Sequence, residues 1–229
     1  MKTKSMITLS ALPLIFASHL TNAQTVDVEV TNLTQGMYFT PLLVSAHGSS
    51  THLFEAGQSA TAALQAMAEG GDISGLVAAT VATGAVNSEN PASGLLAPSS
   101  STQVSDFDTL TNTHLSVVGM LLPTNDAFVG LDSWEIPQQA GTYTVYLNAY
   151  DAGTEANDEI VNGGGAPGAP GIPANPGGNG GTGATGVTTT ETNQTVHIHR
   201  GNVGDTDLSG GVSDVDSRIH RWLNPVAKV

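Results

Sequence analysis

Two short acidic turns carry the residue types in this chain that could do chemistry. They are Pro-Thr-Asn-Asp-Ala-Phe-Val-Gly-Leu-Asp-Ser at 123–133 and Tyr-Asp-Ala-Gly-Thr-Glu at 150–155, and each lies at the end of an apolar run. An apolar run that ends in an acidic turn is typical of a buried strand that reaches the rim of a sheet. In the second turn Gly153 permits a tight reversal, which would bring Glu155 back beside Asp151.

Three carboxylates would then converge on one rim: those of Asp126, Asp151 and Glu155. No basic residue is near them in the sequence, so they would repel one another strongly unless a cation lay among them. Calcium takes about six to eight oxygen ligands, which carboxylates on loops supply together with backbone carbonyls and water. The alternative is that these are ordinary solvated turn residues, because Asp and Gly are common in turns. The residues alone leave both interpretations open.

The same two turns resemble those of a known protein family. The pattern Pro-x-x-Asp-x-Phe-Val-Gly-x-Asp-Ser, followed further along by Tyr-Asp-Ala-Gly-Thr-Glu, is similar to the spondin N-terminal domain family. The likeness is dense over 114–155 and recurs in Trp-Leu-Asn-Pro-Val-Ala-Lys-Val at 222–229. That family includes the spondin domain of F-spondin and many secreted bacterial proteins. The resemblance implies an all-β fold, a C2-like antiparallel β-sandwich.

The resemblance also implies a calcium site. The metal ligands of the family are the Asp of the first turn and the two acidic residues of the second, which here are Asp126, Asp151 and Glu155. Two positions depart from the animal members: Ala127 replaces an aromatic residue, and Glu155 replaces Asp with a longer side chain that still reaches a cation. The resemblance therefore predicts Ca²⁺ as the cofactor, held by these three residues.

The N-terminus is predicted to be a secretory signal peptide over residues 1–23. Lys2 and Lys4 form its charged start, 6–16 its apolar stretch and Thr-Asn-Ala at 21–23 its cleavage site. The apolar stretch is too short to span a bilayer. We therefore expect export to the periplasm or the cell exterior, without membrane insertion. The chain has no cysteine, which excludes disulfides and favours a bacterial branch of the family, because animal members carry cysteines.

The charge balance excludes some classes of partner. The 229 residues include 20 acidic residues against six Lys and Arg, for a net charge of −14. Removal of the two lysines of the signal leaves four basic residues, and the net charge becomes −16. Such an excess disfavours nucleic acid and anionic membranes as partners and favours divalent cations. We expect an extracellular protein or glycan as partner, and the sequence does not determine the oligomeric state.

Short strands separated by turn signals predict a single β-sandwich domain over 24–229. A Gly- and Pro-rich stretch at 162–186 is predicted to be a flexible insertion in that domain, because its composition does not pack a core and a strand pattern resumes after it. One or two short helices are expected before residue 84. The predicted strands cover 25–31, 37–45, 102–106, 114–122, 128–134, 142–150 and 194–199, and the predicted helices cover 59–69 and, ambiguously, 72–83.

Two other groups of residues could bind a metal ion. His197 and His199 point to the same face of a predicted strand, where they could bind zinc or simply pack. The stretch 205–216 places Asp205, Asp207 and Asp216 at positions 1, 3 and 12 of a calcium-loop pattern, but the helices that flank such loops are missing. It is either a second calcium site or a polar surface loop.

The sequence contains no motif for a nucleophile or for a phosphate-binding loop. We therefore predict a secreted calcium-binding module that acts in extracellular binding or cell adhesion and has no catalytic residues. One alternative is a metal-dependent hydrolase that uses the same carboxylates or His197 and His199. Another is a purely structural component of a matrix or cell surface.

Overall fold

Ten strands and two short helices form the part of the chain that the structure, a computed structural model, describes: residues 23–229. Every pairing between these strands is antiparallel. The predicted all-β class with one or two short helices is therefore confirmed. In chain order the elements are β1 (Thr25–Asn32), β2 (Tyr38–Phe39), β3 (Leu43–His47), α1 (Ala62–Gly70), α2 (Ser74–Val81), β4 (Val86–Glu89), β5 (Ser101–Asp108), β6 (His114–Leu122), β7 (Ala127–Glu135), β8 (Tyr146–Asp151), β9 (His197–Ile198) and β10 (Ala227–Lys228).

The strands form one sheet that nearly closes on itself. Hydrogen-bonded neighbours follow the order β4-β3-β6-β7-β8-β10-β1-β5, while β2 pairs with β6 and β9 pairs with β8. The end strands β4 and β5 also contact each other. This barrel-like sheet is compatible with the predicted β-sandwich, because both arrangements enclose an apolar interior between antiparallel strands.

Strand β6 lies between two apolar cores. Its side chains alternate between the faces of the sheet, so Val117 and Leu121 belong to the inner core. Val118 and Met120 belong to a second core on the outer face, where α1 and α2 cover the sheet. Nearly every residue of β6 is buried as a result. This two-sided burial explains the long apolar sequence that precedes the first acidic turn.

Helix α1 packs on β6 and β7 and brings an acidic residue to the interior. Its N-terminus is capped by the Thr61 side chain, which accepts a hydrogen bond from Leu64 N at 3.1 Å. Gly71 ends the helix in the left-handed conformation at φ 74°. Leu64 and Met67 are buried in the outer core, and Glu69, in the last turn, is fully buried as well.

Three of the predicted strands are shorter or interrupted in the structure. The predicted strand 37–45 divides into β2 and β3 around Pro41, which has no N–H for a sheet ladder. The strand predicted over 142–150 begins only at Tyr146, and the one predicted over 194–199 is reduced to β9. Strand β10 carries no sequence pattern of its own, because two residues are too few to show alternation.

The predicted flexible insertion 162–186 contains no helix or strand in the described structure. Ile172, within it, is nevertheless fully buried, and its N–H donates to Ile160 O at 2.7 Å. Gly168 N and Thr182 N also donate to carboxylates outside the segment, those of Glu69 and Asp214, so the segment packs against the domain at several points. Flexibility in the rest of the segment stays a prediction.

Residues 1–22, and with them all but the last residue of the predicted signal peptide, lie outside the described part of the chain. Neither of the helices found in residues 23–229 has the length and apolar character needed to cross a membrane.

Candidate metal centre

The two acidic turns lie at one edge of the sheet because the strands that carry them are paired. Asp126 immediately precedes β7, and Asp151 is the last residue of β8. The register pairs Ala127 with Asp151, so the start of β7 lies beside the end of β8. Gly153 adopts φ 70°, and after this reversal Glu155 N donates to Asp126 Oδ2 at 3.1 Å. The structure therefore brings the three predicted residues to the same rim.

Asp126 is fully buried, and its two carboxylate oxygens differ in their surroundings. Oδ2 accepts hydrogen bonds from Thr154 N at 2.8 Å, from Thr154 Oγ1 at 3.2 Å and from Glu155 N at 3.1 Å. Oδ1 has no hydrogen-bond partner among residues 23–229. Burial, followed by the charge of Asp151, raises the pKa of Asp126 to about 7, although the donors to Oδ2 act in the opposite direction.

The two carboxylate oxygens of Glu155, like those of Asp126, differ in their hydrogen-bond partners. Oε2 accepts hydrogen bonds from Gly171 N at 3.1 Å and from Asn125 Nδ2 at 3.3 Å. Oε1 is buried without a partner anywhere in the described chain. Burial raises the pKa of Glu155 to about 7, and the nearby charges of Glu69 and Asp126 act in the same direction, whereas the two donors oppose the rise.

Asp151 has protein partners for both carboxylate oxygens. Oδ1 accepts from Gly153 N at 2.8 Å, and Oδ2 accepts from Asn157 Nδ2 at 2.8 Å. The Nε2 atoms of His197 and His199 lie 3.7 and 3.9 Å from the same Oδ2. Burial raises the pKa of this carboxylate too. Asp151 thus holds the second turn in shape and adds a negative charge to the rim.

The two histidines at β9 lie on the same side of the strand, and both face Asp151. His199 Nδ1 accepts from Gly201 N at 2.9 Å, so the ring proton is on Nε2 and is donated to Asn157 Oδ1 at 3.0 Å. Burial lowers the pKa of His199 to about 3, which keeps the ring neutral. His199 therefore packs with both nitrogens engaged, whereas zinc binding would require it to release one.

The free oxygens at the rim fit a hard cation. Carboxylate oxygens are the ligands that calcium prefers, and a buried acceptor without a partner costs free energy that a bound cation would recover. Asp126 Oδ1 and Glu155 Oε1 are two such acceptors within the described chain. No three His, Cys, Asp or Glu side chains of residues 23–229 are arranged to hold a metal ion by themselves. Further ligands for calcium would therefore be carbonyl or amide oxygens and water.

The calcium-loop pattern at 205–216 is arranged differently. Asp205 Oδ2 accepts from Val212 N at 2.8 Å and from Ser213 N at 3.0 Å, so it fastens its own loop. Asp216, at position 12 of the pattern, forms an ion pair of 2.6 Å with Arg218. Hydrogen bonding from Arg218 lowers the pKa of Asp216 to about 2. Because this arginine neutralises the carboxylate that would close the loop, the rim is the better calcium candidate.

Three residues that shape the rim carry no motif that predicts their role. Asn125 Nδ2 donates to Glu155 Oε2, and Asn157 Nδ2 donates to Asp151 Oδ2. Asn125 lies within the first acidic turn and Asn157 two residues after the second, so proximity in sequence is the one signal that could have found them. Glu69 comes from helix α1, far away in sequence, and its charge acts on Glu155.

We predict that Gly153→Ala destabilises the fold by roughly 2 kcal/mol, because a left-handed backbone and a steric clash act together. An added Cβ at Gly153 would lie 2.7 Å from Asn193 O and 2.8 Å from Thr195 N. Gly84→Ala is the matched control, since Gly84 has φ 85° but nothing within 4 Å of its Cβ position. Urea unfolding measures both losses of stability. Equal losses would contradict the close packing of the second turn against 193–195.

A comparison with protein families agrees with these findings. The sequence model of the spondin N-terminal domain (Spondin_N) matches residues 30–160, which is more than half of the chain and includes all three rim carboxylates. No curated protein matches the chain in sequence. The resemblance carried by the two acidic turns is confirmed by the family match. This chain belongs to the spondin N-terminal domain family.

Proposed function

We propose that this chain is a secreted module that binds calcium at the rim and acts in extracellular binding or adhesion, without catalysis. Membership of the spondin family supports an extracellular module. The observation that carries the metal proposal is a pair of buried oxygens, Asp126 Oδ1 and Glu155 Oε1, which have no partner in the described residues. Hard, buried, unpaired oxygens at one rim match the coordination chemistry of calcium.

The three carboxylates have different roles in the proposed site. Asp126 and Glu155 bind the cation through their free oxygens, while their other oxygens are anchored by backbone and side-chain donors. Asp151 contributes a third negative charge and orients the second turn through Gly153. Calcium supplies the positive charge that offsets the burial and mutual repulsion of these groups. Because the ligands flank β7 and β8, a bound cation ties two strand ends together.

The charge of the chain supports the proposed class of partner. With a net charge of −14, the protein repels nucleic acid and anionic lipid surfaces. An extracellular protein or a glycan is the partner that remains, and calcium would fix the turns at the rim before it binds. A metal-dependent hydrolase that uses His197 and His199 has less support, because both ring nitrogens of His199 are engaged in hydrogen bonds. A purely structural role in a matrix would leave the same metal site in place.

Calorimetric titration with calcium tests the site assignment. We expect wild type to bind calcium and Asp126→Ala to lose most of that binding, since the variant removes a carboxylate with a free buried oxygen. The control is the double variant Asp205→Ala and Asp207→Ala, which alters the loop that resembles a calcium site and leaves the rim intact. We expect this control to bind as wild type does. Loss of binding in the double variant alone would move the calcium site from the rim to 205–216.

A further inference from the structure

Residues 163–172, which we call the glycine-rich latch, are fastened by two carboxylates from different parts of the fold. Gly171 N donates to Glu155 Oε2 at 3.1 Å, and Gly168 N donates to Glu69 Oε2 at 2.6 Å. Next to these contacts Ile172 is fully buried and hydrogen-bonded to the backbone at Ile160. The latch therefore connects the proposed metal centre with the end of helix α1.

A glycine is required where the latch meets helix α1. Gly165 has φ 102°, and an added Cβ would lie 2.8 Å from Pro173 Cβ and 3.2 Å from Glu69 O. Gly163, in the same segment, also has a positive φ of 80°, but nothing lies within 4 Å of its Cβ position. The contrast shows that the latch is docked at particular points and does not merely pass over the surface.

Glu155 takes part in both the proposed metal centre and the latch. Its Oε2 holds Gly171, whereas its Oε1 is buried and unpaired within residues 23–229. A cation at Oε1 would leave Oε2 on the Gly171 N–H. The Glu155 side chain would then be held by the cation at one oxygen and by the latch at the other. Whichever binds first orders this side chain, so the second binds at a lower entropic cost.

We propose that calcium binding and closure of the glycine-rich latch are coupled through Glu155, an inference that rests on the calcium site proposed above. Calcium at the rim stabilises the docked conformation in which Gly171 and Gly168 are held, and the docked latch tightens calcium binding by the same factor, because such coupling is reciprocal. The segment that composition predicts to be flexible thereby becomes the calcium-dependent part of the molecule. Its position next to the rim makes it the part of the surface that a partner would meet in two calcium-controlled forms.

Amide hydrogen exchange measured by NMR, in calcium and in chelator, tests the coupling. We expect calcium to slow exchange at Gly171 by about 5- to 150-fold, which is the range of typical coupling between sites. The internal control is the Gly178 amide, which lies outside the latch and donates to Asn175 O at 3.1 Å. It should exchange at the same rate in both conditions.

Two charge-neutral variants test the reverse direction. Gly165→Ala should prevent docking of the latch and weaken calcium binding at least about fivefold, while Gly163→Ala, with an open Cβ position, should bind as wild type does. If calcium binds without slowing amide exchange at Gly171, or if the two variants bind calcium with equal affinity, the coupling to the latch is wrong but the calcium site is not contradicted. Failure of wild type to bind calcium would overturn both proposals.

Discussion

Asp126→Asn is expected to stabilise the protein in chelator at pH 8 and to abolish its stabilisation by calcium. The carboxylate is fully buried, and burial raises its pKa to about 7, so the folded protein is penalised for ionising it at pH 8. A rise from 3.8 to about 7 corresponds to a penalty on the order of 4 kcal/mol. Asparagine has the same shape without the charge, so part of this penalty disappears.

In calcium, wild type should become more stable than Asp126→Asn, which is the reverse of their order in chelator. If calcium binds the folded wild type with micromolar affinity, a thousandfold excess adds about 4 kcal/mol, or roughly 10 °C in melting temperature for a domain of this size. Asp126→Asn lacks the proposed ligand and should melt at the same temperature with calcium and with chelator. Asp207→Asn, in the exposed loop, is the control and should follow wild type in both conditions. A variant that still gains stability from calcium would contradict the assignment of Asp126.

The stabilisation by calcium is expected to depend strongly on pH. Burial raises the pKa values of Asp126 and Glu155 to about 7, so between about pH 4 and pH 7 the folded protein holds protons that the unfolded chain has lost. Without calcium, this contribution to stability decreases as the pH rises through that window. Calcium competes with those protons, so its stabilising effect should be full at pH 8 and nearly absent at pH 5.

Other buried groups also make the melting temperature depend on pH. The quantity to measure is therefore the difference in melting temperature between calcium and chelator at each pH. Burial lowers the pKa values of His199, His47 and His220. As the pH falls, these histidines therefore become protonated in the unfolded chain before they do in the folded protein. Their contribution to stability rises with pH, opposite to that of the rim carboxylates. It is the same with and without calcium and cancels when melting temperatures at one pH are subtracted. A calcium effect that is equal at pH 5 and pH 8 would contradict binding by Asp126 and Glu155.

The acidic turns were predictable because their information is local. An apolar run followed by Asp126, and a second run followed by Asp151 and Gly153, locate two strand ends from the apolar runs and the turn chemistry. The positive φ of Gly153 is a property of the turn itself. The family pattern spans the same residues, so the rim and the fold class could be predicted together.

Two short strands, β9 and β10, could not be predicted correctly because their limits depend on contacts with residues distant in sequence. Strand β10 has two residues, and its place between β1 and β8 depends on backbone hydrogen bonds to segments far away in sequence. The predicted strand at 194–199 is shortened at both ends: Val196 N donates to Gln58 O before β9, and after it Gly201 N donates to the His199 ring. The β-propensity of the residues predicts neither the presence of β10 nor the shortening of β9, since both depend on tertiary contacts.

The family, the all-β class and the two acidic turns could be predicted without coordinates, because patterns of a few residues encode them. Which oxygen of Asp126 and of Glu155 lacks a partner in the described residues follows only from the folded chain, since burial depends on what packs around a side chain. The same is true of the contacts that the glycine-rich segment makes: Gly171 meets Glu155 at this rim, and Gly168 meets Glu69 of helix α1. Such contacts join residues distant along the chain, and only the folded chain brings their atoms within hydrogen-bonding distance.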